Sequence, residues 1–142
     1  SLFLPTAEVT TENTVRPDDP SQPRILLVDD DMLVRNVLEE QLLDAGYRVT
    51  VAASGNEAMT TFAAEGADLL VTDLSMPGMD GMTLIGKVQE HAPGMPAILI
   101  TGYAMEHIRL GDRGLFRLLR KPVTAARLYE EVATSLAERR VN

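Results

Sequence analysis

Three short, uninterrupted apolar runs constrain this chain more than any other feature: Ile25-Leu26-Leu27-Val28, Leu69-Leu70-Val71 and Ala97-Ile98-Leu99-Ile100. Runs of this length are too short for a stable helix. Their lack of alternation fits strands buried on both faces. A strand buried on both faces needs cover above and below, and the sequence between the runs supplies it.

After the first run, Val34, Val37, Leu38 and Leu42 recur at helical spacing, and Gly46 is placed to end that helix. Tyr47, Val49 and Val51 alternate as in a strand. Ser54 and Glu57 form a capping-box pattern that opens a second helix through Phe62. Met82, Ile85 and Val88 mark a third helix after the turn-rich loop Ser75-Met76-Pro77-Gly78-Met79-Asp80-Gly81. Residues 105–114 read as a short helix or as loop, residues 116–120 as a fifth strand. Thr124 caps a last helix that buries Leu128, Val132 and Leu136. Five strands alternating with five helices predict an α/β fold: a mostly parallel sheet, doubly wound, with helices on both faces and right-handed crossovers.

In such a sheet the ligand site lies beyond the carboxyl ends of the strands. The residues there are Asp29, Asp30 and Asp31 after the first run, Asp73 after the third strand, Thr101 after the fourth and Lys121 after the fifth. Singly, each has a plain structural role. Asp31 is a helix N-cap, Thr101 a satisfied hydroxyl, and Lys121-Pro122 an exposed turn. Together they place several carboxylates, a hydroxyl and an ammonium along one edge. Carboxylates this close repel unless a counter-charge joins them. Hard oxygen ligands with room for water suit Mg²⁺. A carboxylate can also act as a nucleophile toward phosphorus, with charge neutralised by the metal and a lysine.

Composition narrows the function classes. The 142-residue chain contains no cysteine, which excludes disulfides, thiolate metal sites and a cysteine nucleophile. The formal net charge of -8 repels phosphate backbones, so no nucleic-acid contact is expected. No apolar run is long enough to span a bilayer and no signal peptide is visible, so no membrane contact and a cytoplasmic location are expected. Two enzyme classes are poorly matched. Gly81-Met82-Thr83-Leu84-Ile85-Gly86-Lys87-Val88 approximates a P-loop but has Val88 where Ser or Thr should hold Mg²⁺. An Asp-nucleophile phosphatase would want a general acid two residues after Asp73, where Ser75 stands. His91 and His107 read as ordinary surface residues.

From Arg24 to about Leu136 the chain closely resembles the receiver domain of two-component response regulators. The resemblance is carried by Val28-Asp29-Asp30-Asp31, by Val71-Thr72-Asp73-Leu74-Ser75-Met76-Pro77-Gly78-Met79-Asp80-Gly81, by Leu99-Ile100-Thr101-Gly102 and by Leu119-Arg120-Lys121-Pro122. It implies a flavodoxin-like sheet of strand order 2-1-3-4-5. It also implies that Asp73 is the phosphoacceptor, with a phosphohistidine of a histidine kinase as donor and self-catalysed phosphorylation and dephosphorylation. Mg²⁺ would be held by Asp30 directly, by Asp29 partly through water, by Asp73 and by the Ser75 carbonyl. Thr101 and Lys121 would hold the phosphoryl oxygens, and the Lys121-Pro122 bond would be cis. The intact Asp73, Thr101 and Lys121 set argues against a degenerate receiver serving only as an interaction module. Two departures stand out. Leu118 occupies the place of the family's usual aromatic switch residue, and the stretch between Thr101 and Lys121 is about two residues short.

The N-terminal part differs from the rest. Residues 1–6 (Ser-Leu-Phe-Leu-Pro-Thr) resemble the last strand of the ATP-binding domain of sensor histidine kinases. Residues 7–23 are polar, broken by Pro17, Pro20 and Pro23, and read as a flexible linker, with the receiver over residues 24–142. The last helix is read as ending near the final residue, so no DNA-binding output domain is expected after it. This arrangement implies the C-terminal receiver of a hybrid histidine kinase, the phosphodonor lying in the same polypeptide or its dimer mate. The alternative is a stand-alone single-domain response regulator.

Overall fold

The computed structural model describes residues 22–102 and 116–141. Its strands are β1 (Arg24–Val28), β2 (Arg48–Ala52), β3 (Leu69–Asp73), β4 (Ala97–Thr101) and β5 (Phe116–Arg120). Its helices are α1 (Met32–Asp44), α2 (Gly55–Glu65), α3 (Gly81–His91) and α4 (Ala125–Val141). The strands form one parallel sheet in the order β2-β1-β3-β4-β5. This is the doubly wound, flavodoxin-like order that the resemblance to receiver domains implies. Residues 1–6, most of the segment read as linker, His107 and the weakly patterned residues 105–114 lie outside the described residues.

The continuous apolar runs work because successive side chains on a strand face opposite ways. Ile25, Leu27, Val71, Ile98 and Ile100 meet Leu38 and Leu42 of α1 and Leu128, Val132 and Leu136 of α4. Leu26, Val28, Leu70 and Leu99 meet Ala58 of α2 and Leu84, Ile85 and Val88 of α3. All five residues of β3 and of β4 are buried, as central strands covered twice must be. β2 is an edge strand, and its alternation sends Val49 and Val51, with the preceding Tyr47, against the α1 side.

Each described helix starts on a side-chain cap. The Asp31 carboxylate accepts from the backbone N–H groups of Leu33 and Val34. Ser54 accepts from Glu57 N–H, while Glu57 reaches back to Ala53 N–H at 2.9 Å. Asp80 caps α3 through Thr83 N–H, and Thr124 accepts from Arg127 N–H. Gly46 ends the α1 turn at a φ of 97°, a left-handed conformation that favours glycine. The segment resembling a P-loop lies wholly inside α3 and is not a loop that could wrap a phosphate. A side chain at Gly86 would meet open space, which makes it a tolerated glycine.

Candidate functional site

The sheet register brings the sequence-predicted residues to one edge. Val28 pairs with Thr72, so Asp29 follows level with Asp73. Asp73 pairs with Ile100, so Thr101 lies one step beyond it. Thr101 pairs with Arg120, and Lys121 follows. The Lys121 N–H donates to the Thr101 carbonyl at 2.9 Å, and the Lys121-Pro122 peptide bond is cis.

The side chains converge as well. Lys121 Nζ lies 3.0 Å from Asp73 Oδ1. Carboxylate oxygens of Asp29, Asp30 and Asp73 lie within 4.8 Å of one another. Asp29, Asp73 and Thr101 are buried, Asp30 is exposed, so the group opens to solvent on one side. Ser75, in the loop after β3, is also exposed, as is His91. Asp31 turns away to cap α1, in line with its plain structural role.

The electrostatics follow from this crowding. Burial pushes the Asp29 carboxyl above its ordinary value; the Asp31 N–H bond pulls it down and the Asp73 charge pushes it further up. Burial pulls the Lys121 ammonium down most strongly. The hydrogen bond it donates to Asp73 and the charges of Asp73, Asp29 and Asp31 together outweigh it and hold the group above its ordinary value. Asp29 Oδ1 accepts from Asp31 N–H at 2.9 Å, whereas Oδ2 is buried and accepts no hydrogen bond among the described residues. A buried carboxylate oxygen without a donor, beside two more carboxylates, fits a divalent cation that prefers hard oxygen ligands.

Three supporting contacts escaped sequence reasoning. Gly81 lets α3 begin directly beneath Asp73: a Cβ there would collide with the Asp73 carbonyl oxygen and lie 2.8 Å from Leu99 Cδ1. Thr72 Oγ1 donates to the Asp73 carbonyl at 2.9 Å. Arg35 Nη1 donates to the Asp29 carbonyl at 2.7 Å. For Arg35 a signal did exist. Helix side chains lean toward the N-terminus, so an arginine on the first turn of α1 can reach back to the end of β1.

Comparison with known proteins places the chain in a family. The family model for the response regulator receiver domain matches residues 25–133, and the chain belongs to that family. It is 36% identical over 116 residues to the transcriptional regulatory protein GlrR of Escherichia coli K12, covering 80% of this chain and 26% of that protein. It is 43% identical over 116 residues to a 14.6 kDa protein of Leptolyngbya boryana, covering 79% and 88% respectively. The chain thus spans about a quarter of the length of the larger curated relatives it matches. The CheY-like receiver domain protein of Methanospirillum hungatei superposes with a TM-score of 0.78 at 31% identity, covering 85% of this chain and 98% of that one. Receiver domains of two-component signalling take phosphoryl groups from histidine kinases and are generally Mg²⁺-dependent. Among the described residues, no helix is long and apolar enough to cross a membrane.

Proposed function

We propose that Asp73 accepts a phosphoryl group from a phosphohistidine of a histidine kinase in a Mg²⁺-dependent reaction. The observation that carries this reading is the convergence of Asp29, Asp30 and Asp73 within 4.8 Å, with Lys121 Nζ 3.0 Å from Asp73. An Asp73 carboxylate oxygen forms the new bond to phosphorus. The phosphorus–nitrogen bond breaks, and its electron pair returns to the donor imidazole. Asp29, Asp30 and Asp73, with the Ser75 carbonyl, would hold the cation, which when bound supplies neutralisation of phosphoryl charge. In this reading Lys121 pairs with one phosphoryl oxygen, and Thr101, at the end of β4, donates to another. The phosphoryl group adds roughly -1.5 to -2 charge, the perturbation that drives a switch in the adjoining loops.

The direct test is acetyl phosphate with intact-mass readout. The wild-type mass rises by one phosphoryl group when Mg²⁺ is present, and Asp73→Asn blocks the gain. Undiminished labelling of Asp73→Asn would overturn the assignment. A stoichiometric phosphoprotein also separates this reading from an Asp-nucleophile phosphatase, which would turn over instead.

We further propose that the chain is the C-terminal receiver of a hybrid histidine kinase in a cytoplasmic location. The support is the kinase-like residues 1–6 followed by a polar linker. A seventeen-residue tether of this kind spans on the order of 20–25 Å, which keeps the receiver concentrated near its own kinase's phosphohistidine. The second reading is a stand-alone or transcriptional response regulator, favoured by the relatives the chain matches. Phosphotransfer in the full-length protein decides between them. Equal rates with linked and separated domains at matched micromolar concentration would defeat the hybrid-kinase reading.

A further inference from the structure

The Asp29–Asp30 pair poses a geometric problem. Consecutive side chains on an extended strand point to opposite sides, yet both carboxylates reach toward Asp73. The backbone must therefore turn between them, and two clamps hold the turn. The Asp31 N–H donates to Asp29 Oδ1, fixing the Asp29 side chain. Arg35 Nη1 donates to the Asp29 carbonyl, fixing the main chain. That carbonyl belongs to the peptide joining Asp29 to Asp30. Its orientation therefore sets the direction in which Asp30 leaves the backbone. The Asp29 N–H is tied separately to the Ala52 carbonyl at 3.2 Å, so the strand side of the turn is anchored in the sheet.

We infer that Arg35 is a positioning residue for the cation site: its clamp on the Asp29 carbonyl orients the Asp29–Asp30 peptide so that the exposed Asp30 carboxylate joins Asp29 and Asp73. The inference rests on the reading of these three carboxylates as the Mg²⁺ ligands. The bond is short and donated by a charged group, which makes it stronger than a neutral one. Arg35 sits on α1, and α1 is itself fixed by the Asp31 cap and by Leu38 and Leu42 in the core. The guanidinium thus transmits the position of a packed helix to the loop that carries the ligands.

Charge alone predicts the opposite outcome. Arg35 is a cation beside a cation site, so removing it should tighten Mg²⁺ binding if it acts merely through its field. Removing a positioning contact should weaken it, and supporting contacts of this kind are worth about 10- to 100-fold in metal affinity. The experiment is a calorimetric Mg²⁺ titration of the metal-stripped protein and its variants, with ¹⁵N amide spectra recorded in EDTA. Arg35→Ala should raise the Mg²⁺ Kd at least about 10-fold and shift the Asp30 amide signal without metal. Arg35→Lys, which keeps the charge and a donor nitrogen, should recover part of the affinity. Arg35→Met retains the aliphatic stem and carries the test if the alanine variant fails to fold. An unchanged or lower Kd in a folded neutral variant would overturn the inference while leaving the metal site standing. Absence of Mg²⁺ binding by the wild type would overturn the site itself and this inference with it.

Discussion

Replacing Asp29 by asparagine should make the metal-stripped protein more stable while removing most of its response to Mg²⁺. Asp29 is 1% exposed, and its carboxylate lies within 4.8 Å of those of Asp30 and Asp73. At that separation and an effective dielectric constant of about 20, a pair of carboxylates repels by about 3.5 kcal/mol. Lys121 offsets much of this, and the Asp31 N–H contributes about 1 kcal/mol more. A net destabilisation of about 1–2 kcal/mol remains to be relieved. Asparagine keeps the shape and an acceptor for Asp31 N–H, and its amide can donate toward the neighbouring carboxylates from the position of the donorless Oδ2. With a urea m-value of about 1–2 kcal/mol per molar, the unfolding midpoint in EDTA should rise by roughly 1 M.

The pH dependence gives an internal check. Burial holds the folded Asp29 carboxyl above its unfolded value of 3.8. Between those two values the folded state binds the proton more tightly, so wild-type stability falls as pH rises through the window. The advantage of Asp29→Asn is therefore full above the folded value and shrinks as pH is lowered from there toward 3.8. Mg²⁺ at ten times its Kd should add about 1.4 kcal/mol to the wild type and far less to the variant. A variant with a lower midpoint in EDTA, or one that keeps the full Mg²⁺ response, would refute the reasoning.

Three further outcomes follow from the same structure. Gly81→Ala should cost about 2–3 kcal/mol in urea denaturation, because its new Cβ meets the Asp73 carbonyl rather than a side chain that can move; a loss under about 0.5 kcal/mol, the size of an ordinary surface change, would show that α3 can retreat cheaply. Burial raises the Tyr47 phenol above 10.0, so its contribution to stability is full below that pH and is lost as pH climbs toward the folded value. Tyr47→Phe should flatten the alkaline fall relative to wild type, and identical profiles would count against it. Leu118 is half-buried against the α2–α3 side and carries neither ring nor hydroxyl. Amide exchange with and without beryllofluoride should therefore change more at residues 75–81 than at residues 116–120, and the reverse pattern would disprove it.

The apolar runs dictated the sheet, because short stretches buried on both faces have few alternatives to parallel central strands. Strand ends then named the site, since Asp29, Asp73, Thr101 and Lys121 terminate four neighbouring strands once the order is known. Caps were legible too: Asp31, Ser54 and Thr124 satisfy the N–H groups that any helix start leaves open. What the sequence could not convey depends on contacts between segments distant along the chain. Asp29 and Asp30 are chemically identical neighbours, yet one is buried and one exposed, a division made by the turn at the end of β1. Gly81 reads as one more turn glycine until α3 is laid against β3 and β4. Arg35 reads as an ordinary surface charge until α1 folds back to set its guanidinium on the Asp29 carbonyl. Local pattern determines which groups reach the edge of the sheet. The packing of helices against that edge decides how each group is oriented and how strongly its charge is felt, because orientation and desolvation are properties of the assembled neighbourhood rather than of any one segment.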